Sequence, residues 1–344
     1  MKRIARKFAE TLAGATESIR TFSIPREIHG AIQPLFKRYG IVFETRQVSS
    51  AENPDAKIGL WRKVWKRDAR VTGTGPVRLV VVPGFGDTPL SWLSVAIPLR
   101  HILPEHFDEV IFLDFPGFQG FLNEEKPFSS FDDLSSAVTE VLDELKPHTI
   151  IGHSLGGWIA SHYALRTSTT ASASNTKHLD RVVVISSPAV IPQMEDMLEW
   201  KSKFDLARRP ETIDDFRKFV FKEEPVMFSF FLKEFKEFFL KPEILKFMDS
   251  IGYQHFLTDS LGKISVPISL IWGGDDRLNL SRWSEGWKRG LDRTKTGPVP
   301  LVVVPGLGHN LHIEQPRLIA KVLGKMIRGH ELTASDEWHC EVWE

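Results

Sequence analysis

His148-Thr149-Ile150-Ile151-Gly152-His153-Ser154-Leu155-Gly156-Gly157-Trp158-Ile159-Ala160 is the stretch whose reading decides the fold. A β-branched apolar run ends in a G-x-S-x-G, and small and apolar residues at helical spacing follow, so it reads as strand, sharp turn and helix. A serine at the tip of such a turn sits in a strained backbone conformation. Glycines two residues to either side leave room for strand and helix to approach closely. The Ser154 hydroxyl would then project above the carboxyl end of a sheet. The helix starting beside it would aim free N–H groups and a positive dipole end at an anion formed there. Taken alone, the pentapeptide also fits a glycine-rich turn with a solvated serine; the flanking strand and helix favour the first reading.

Working outward, β-branched runs recur before and after this turn. Val77 to Val82 reads as a buried strand closed by Pro83-Gly84, and Val110 to Asp114 as the next, with Phe115-Pro116-Gly117-Phe118 turning after it. Phe131 to Leu145 has the spacing of an amphipathic helix, with Leu134, Val138, Val141, Leu142 and Leu145 on its apolar side and Pro147 ending it. Arg181 to Ile185, Val266 to Trp272 and Pro300 to Val304 are further strands, and Pro316 to Arg328 a last helix. Strands alternating with helices predict a mostly parallel sheet covered on both faces, the α/β class. Ile58 to Arg70 is expected to form a strand pair packed by Leu60, Trp61, Val64 and Trp65.

Residues 188–264 interrupt the alternation. They are helical in pattern and hold 12 of the chain's 24 phenylalanines, and the run Val226 to Leu240 is apolar on more than one helical face. Such a segment must be buried, line a cavity or meet lipid. It is expected to be a helical cap inserted over the site, with Phe228, Phe231 and Phe235 facing an apolar substrate; cap-internal packing is the competing reading. The expected organisation is an N-terminal helical arm (1–50), a core in two parts (51–187 and 265–330), the cap (188–264) and a C-terminal tail (331–344). In the arm, Ile4, Phe8, Leu12 and Ile19 share a helical face beside Lys2, Arg3, Arg6 and Lys7, and Ile41 to Val48 reads as extended. It would either dock on the body or make a peripheral membrane contact.

The 344 residues are 42% hydrophobic and 26% charged, with 44 basic and 44 acidic side chains, so no excess charge points to nucleic acid. A single cysteine, Cys340, allows no intrachain disulfide. With no signal-like apolar segment at the start and no apolar run of spanning length, the expected setting is cytoplasmic. No metal-ligand spacing, P-loop or dinucleotide fingerprint occurs, so neither metal nor cofactor is expected.

In a parallel sheet all carboxyl ends lie on one edge, so three strand ends bring a serine, an acid and a histidine toward one place in the chain order Ser154, Asp276, His309. A serine hydroxyl needs a base to attack a carbonyl carbon. His309 would take the proton, and Asp276 would hold the imidazole tautomer. Asp275 competes with Asp276 for that role, with Asp180 and Asp259 more distant candidates. His312 is expected to begin a helix and His153 to support the turn. The glycines after the Val77 to Val82 strand suit an inward-facing backbone donor, for which Phe85 N–H is the candidate.

Pro83-Gly84-Phe85-Gly86 with Trp92, Asp114-Phe115-Pro116-Gly117-Phe118, Gly152-His153-Ser154-Leu155-Gly156-Gly157, Trp272-Gly273-Gly274-Asp275-Asp276-Arg277, and Gly308-His309 with Glu314-Gln315-Pro316 together resemble the α/β-hydrolase family over about residues 55–328. They look most like the capped monoacylglycerol-lipase and carboxylesterase branch, to which Glu211-Thr212-Ile213-Asp214-Asp215-Phe216 adds a weaker likeness. The resemblance implies an α/β-hydrolase fold with a helical cap, Ser154 as nucleophile, Asp276 as acid, His309 as base, and the Phe85 and Leu155 N–H groups as the oxyanion hole. It implies cleavage of an apolar small-molecule or lipid ester through an acyl-enzyme. The sequence departs from the pattern at Pro83, where a histidine is usual, and at Gln119 and Phe121, where glycine and serine are usual. The serine in the turn argues against dehalogenase and epoxide-hydrolase chemistry, which needs an aspartate there. A carbon–carbon bond hydrolase, an amidase and a non-catalytic ligand-binding relative remain as alternatives.

Overall fold

A computed structural model of the chain describes residues 40–65, 76–118, 125–170, 178–191, 193–224, 232–292 and 298–329. Among these residues one eight-stranded sheet forms, β1 (Ile41–Gln47), β2 (Lys57–Val64), β3 (Arg78–Val82), β4 (Glu109–Asp114), β5 (Thr149–His153), β6 (Arg181–Ile185), β7 (Ile268–Gly273) and β8 (Leu301–Val304), in the order β1-β2-β4-β3-β5-β6-β7-β8. From β4 to β8 all pairings are parallel; β1–β2 and β2–β4 are antiparallel.

The central strands consist of β-branched and other apolar residues because both faces are covered. Val80, Val82, Ile111, Ile150, Val182, Val184 and Leu270 point to one side, where α2 (Phe131–Leu145) and α3 (Leu155–Thr170) pack on them with the segment between β6 and β7. Leu79, Val81, Val110, Phe112, Ile151, Val183, Ile185 and Ile271 alternate to the other side, against α1 (Pro89–Ile102) and α10 (Pro316–Arg328). The segment after β6 carries α4 (Met194–Asp205), α5 (Ile213–Val220), α6 (Leu232–Phe239) and α7 (Pro242–Ser250), and α8 (Trp283–Leu291) and the short α9 (Leu311–Glu314) follow β7 and β8.

Two expectations need correction. Residues 41–47, assigned to the arm, are the edge strand of the sheet, paired with β2 from Ile41 opposite Lys63 to Gln47 opposite Lys57. The stretch from Ile58 is therefore one strand whose hairpin partner precedes it, not a strand pair of its own. An edge strand with one covered face carries polar residues such as Glu44, Thr45 and Arg46, and that polarity made it look like arm. Residues 1–39 of the arm, Gln119, Phe121, Phe228, Phe231 and Cys340 lie outside the described residues. No helix among the described residues is long and apolar enough to cross a membrane.

Candidate active site

Ser154 follows β5 directly and precedes the first residue of α3, with φ of 51°, in the left-handed region that costs a non-glycine residue energy. Its backbone is held there: Ser154 N–H donates to Ile185 O at 2.8 Å and Ser154 O accepts from Trp158 N at 3.0 Å. The turn closes because Gly152 and Gly156 carry no Cβ. A Cβ on Gly152 would meet Gly156 O at 2.5 Å, and one on Gly156 would overlap the Val82 carbonyl oxygen and lie 2.5 Å from Pro83 O. Leu155 is the first residue of α3, so its N–H has no intrahelical acceptor and faces the same end of the sheet as the Ser154 side chain.

The loop after β8 carries His309, and the loop after β7 carries Asp276. His309 Nδ1–H donates to Asp276 Oδ2 at 2.9 Å, both side chains being buried. Asp276 Oδ1 accepts from the N–H groups of Leu278 (3.0 Å) and Asn279 (2.8 Å), so the carboxylate is fixed by its own loop. Asn279 in turn accepts from Trp200 Nε1 of α4 at 2.8 Å and donates to Ser186 O at 2.7 Å, which ties the acid loop to the segment above the sheet. Asp275 is not so placed: its carboxylate faces outward, 3.5 Å from Lys222 Nζ. Ser154 and His309 line one cavity together with Phe85, Phe235 and Phe239. Glu314 braces the histidine loop, accepting from Gly308 N (3.1 Å) and Lys222 N (3.3 Å); burial pushes its carboxyl up.

Asp87, His153 and His312 form a buried cluster beneath this arrangement that no spacing in the sequence reveals. His312 lies in α9 and stacks on Trp92 at 4.4 Å, with Nε2 3.2 Å from Asp87 Oδ2. His153 Nδ1 is 4.0 Å from the same oxygen, and its Nε2–H donates to His309 O at 3.0 Å. Asp87 also accepts from Thr88 N (2.8 Å), Ser91 Oγ (2.5 Å) and Trp92 Nε1 (2.9 Å). Ligand-type atoms of the three residues lie within 4.8 Å of one another, a grouping the sequence reading, which saw no metal cluster, did not contain. With both Asp87 oxygens already accepting hydrogen bonds, the cluster is a buried polar network that holds the turn at Ser154, the loop after β3 and the histidine loop together. Burial pushes the Asp87 carboxyl up, but His312, His153 and Ser91 outweigh it and hold the group down at about 2. Burial, together with the neighbouring His312 and His309, pushes His153 well below its ordinary value, so it is neutral at pH 7.

Both shifts mean that the unfolded chain binds more protons than the folded one, so stability falls as pH falls. For His153, whose folded value lies below the unfolded one, the loss begins as pH drops through about 6.5. The Asp87 contribution, ~2 kcal/mol for a shift from 3.8 to about 2, is complete above about pH 4 and is lost toward pH 2. Urea unfolding should therefore show Asp87→Asn less stable than wild type by ~2 kcal/mol at pH 7, with the difference shrinking below pH 4. His153→Gln should flatten the acid limb between pH 6.5 and 5. A pH-independent deficit in Asp87→Asn would contradict the network.

The alpha/beta hydrolase family model matches residues 79–322. The chain is 22% identical over 245 residues, 68% of this chain and 82% of the relative, to the 2-succinyl-6-hydroxy-2,4-cyclohexadiene-1-carboxylate synthase of Serratia proteamaculans. Its fold is shared by the crystal structure of a bacterial membrane phospholipase A (TM-score 0.63, 21% identity, covering 96% of this chain and 99% of that one). It is also shared by carboxylesterase CesB of Bacillus subtilis (TM-score 0.60, 16% identity, 90% and 100%). With the family model running from the first parallel strand into the last helix, the chain belongs to the alpha/beta hydrolase family.

Proposed function

We propose that the protein is a serine ester hydrolase of carboxylesterase or monoacylglycerol-lipase type, acting on an ester with an apolar acyl chain through an acyl-enzyme. The observation that carries this reading is His309, fixed at Nδ1 by the buried Asp276 and lining one cavity with Ser154. With Nδ1–H spent on the carboxylate, the remaining His309 nitrogen is free to accept the Ser154 proton. Attack by Ser154 Oγ on the ester carbonyl places negative charge on its oxygen, next to the Phe85 and Leu155 N–H groups. His309 then returns the proton to the departing alcohol, and water repeats the sequence on the acyl-enzyme. Phe235 lines this space and is the described member of the three phenylalanines expected to meet substrate.

The scaffold alone does not select this chemistry, since the Serratia relative bears the name of a carboxylate synthase. The lining favours an uncharged apolar substrate. The two cations that line the adjoining cavity at Ser154 are committed: Arg208 to Asp205 (3.2 Å) and Asp249 (2.6 Å), and Lys201 to Ile251 O (2.6 Å). A polyanionic substrate would find no free cation there among the described residues.

Each methylene moved from water into an apolar cavity is worth up to ~0.8 kcal/mol, so two approach a tenfold gain. Initial rates on p-nitrophenyl esters should give a kcat/KM at least ~10-fold higher for hexanoate than for acetate. Acetate as the best substrate, or no turnover at any length, contradicts the reading.

A further inference from the structure

Two cavities meet at Ser154. One extends past Leu155 and Trp158 to Trp200, Phe247, Met248 and Ile251. The other extends past His309 to Val220, Phe221, Phe235, Phe239 and Ile313. Ser154, Phe85 and Phe204 line both. The Phe85 ring stacks on Phe247 at 5.2 Å and meets Phe239 edge-on at 5.7 Å and Phe204 at 6.5 Å, so an aromatic partition stands between the two spaces.

The order of proton transfers assigns the arms. After Ser154 Oγ bonds to the carbonyl carbon, that carbon carries the oxyanion, the acyl arm and the alkoxy arm. When the intermediate collapses, the carbon–oxygen bond to the alcohol breaks. Its electron pair stays on the alkoxy oxygen, which takes the proton His309 removed from Ser154; the oxyanion becomes the acyl carbonyl again. The alkoxy oxygen must therefore lie beside His309, which lines the second cavity, while Leu155 lines the first.

We infer that the substrate is an ester apolar on both sides of the carbonyl, with its acyl arm in the Trp158–Met248 cavity and an alkyl or aryl alcohol in the Phe235–Ile313 cavity. This rests on the Ser154–His309 reading and narrows it. A polyol such as glycerol would lose water against Phe221, Phe235 and Phe239 without recovering hydrogen bonds. Of the polar residues lining that cavity, Ser154 and His309 are the reacting groups and Asp87 and His153 belong to the buried network, leaving Asn310 for one polar substituent. The alcohol cavity thus selects against monoacylglycerols and for esters of hydrophobic alcohols.

The test is a matrix of octanoate esters of methanol, glycerol, hexanol and benzyl alcohol, and of methyl esters from acetate to dodecanoate, followed by titration of released acid. Wild type should prefer hexyl or benzyl octanoate to glyceryl octanoate at least tenfold in kcat/KM. Ile313→Trp should lower the hexyl-to-methyl ratio at least tenfold and preserve the ranking of methyl esters by acyl length. Met248→Trp should truncate the acyl ranking and preserve the hexyl-to-methyl ratio. Glyceryl octanoate as the equal or better substrate, or crossed effects of the two variants, overturns the assignment. Where circular dichroism shows a tryptophan variant unfolded, Ile313→Phe and Met248→Phe with the wild-type matrix decide. No turnover of any ester, with no labelling of Ser154 by a fluorophosphonate, removes the underlying hydrolase reading as well. Labelling together with a glyceryl preference removes the substrate class alone.

Discussion

Ser154→Ala should lower kcat for every ester substrate by about 10⁵ to 10⁶ while leaving the protein folded. The alanine keeps the backbone bonds from Ser154 N to Ile185 O and from Trp158 N to Ser154 O, and it enters the same φ of 51° with a Cβ already accommodated. Unfolding stability should accordingly change by less than ~1 kcal/mol. His309→Ala should cost a comparable factor, and the double variant little more than either single one, because nucleophile and base act as a unit. Asp276→Asn should cost about 10⁴, since an amide NH₂ facing His309 Nδ1 cannot accept its proton and favours the wrong tautomer. Additive losses in the double variant would show the two residues working apart.

Gly156→Ala should be the most damaging small substitution to the fold. Its Cβ would overlap the carbonyl oxygen of Val82 and crowd that of Pro83, both backbone atoms. Val82 is paired with Gly152 in the β3–β5 register, and Pro83 begins the loop that carries Phe85, so neither can yield without moving the sheet or the candidate oxyanion donors. A destabilisation of ~3 kcal/mol or more is expected, read as a drop in Tm of roughly 6–12 °C, with activity falling in whatever folded fraction remains. A variant with wild-type Tm and kcat would mean that α3 can slide away from β3, contrary to the close approach described here.

Much of the sheet was legible because buried parallel strands must be continuous apolar runs and because proline and glycine punctuate them. Arg181–Ile185 and the helices Phe131–Leu145 and Pro316–Arg328 have the bounds their patterns predict. Ile41–Gln47 reads as extended, but its place at the sheet edge was not legible, since one open face leaves it half polar and its partner lies beyond a turn. At the site, Ser154, Asp276 and His309 stood out because each closes a strand at one edge of the sheet. The Asp87–His312 contact did not, because it joins residues 225 positions apart whose local sequences carry no sign of each other. Phe85 stands out in the sequence for its backbone N–H; that its ring divides two cavities depends on Phe247 and Phe204 arriving from the segment between β6 and β7, which only tertiary packing reveals.

The most direct test of the account is covalent labelling of the 344-residue protein with an alkyl fluorophosphonate, with the adduct located by peptide mass spectrometry. An intact relay from Asp276 through His309 predicts a single adduct, on Ser154, formed within minutes at pH 8 and lost in His309→Ala. An adduct on another residue, or none on a folded protein that still hydrolyses esters, would contradict it.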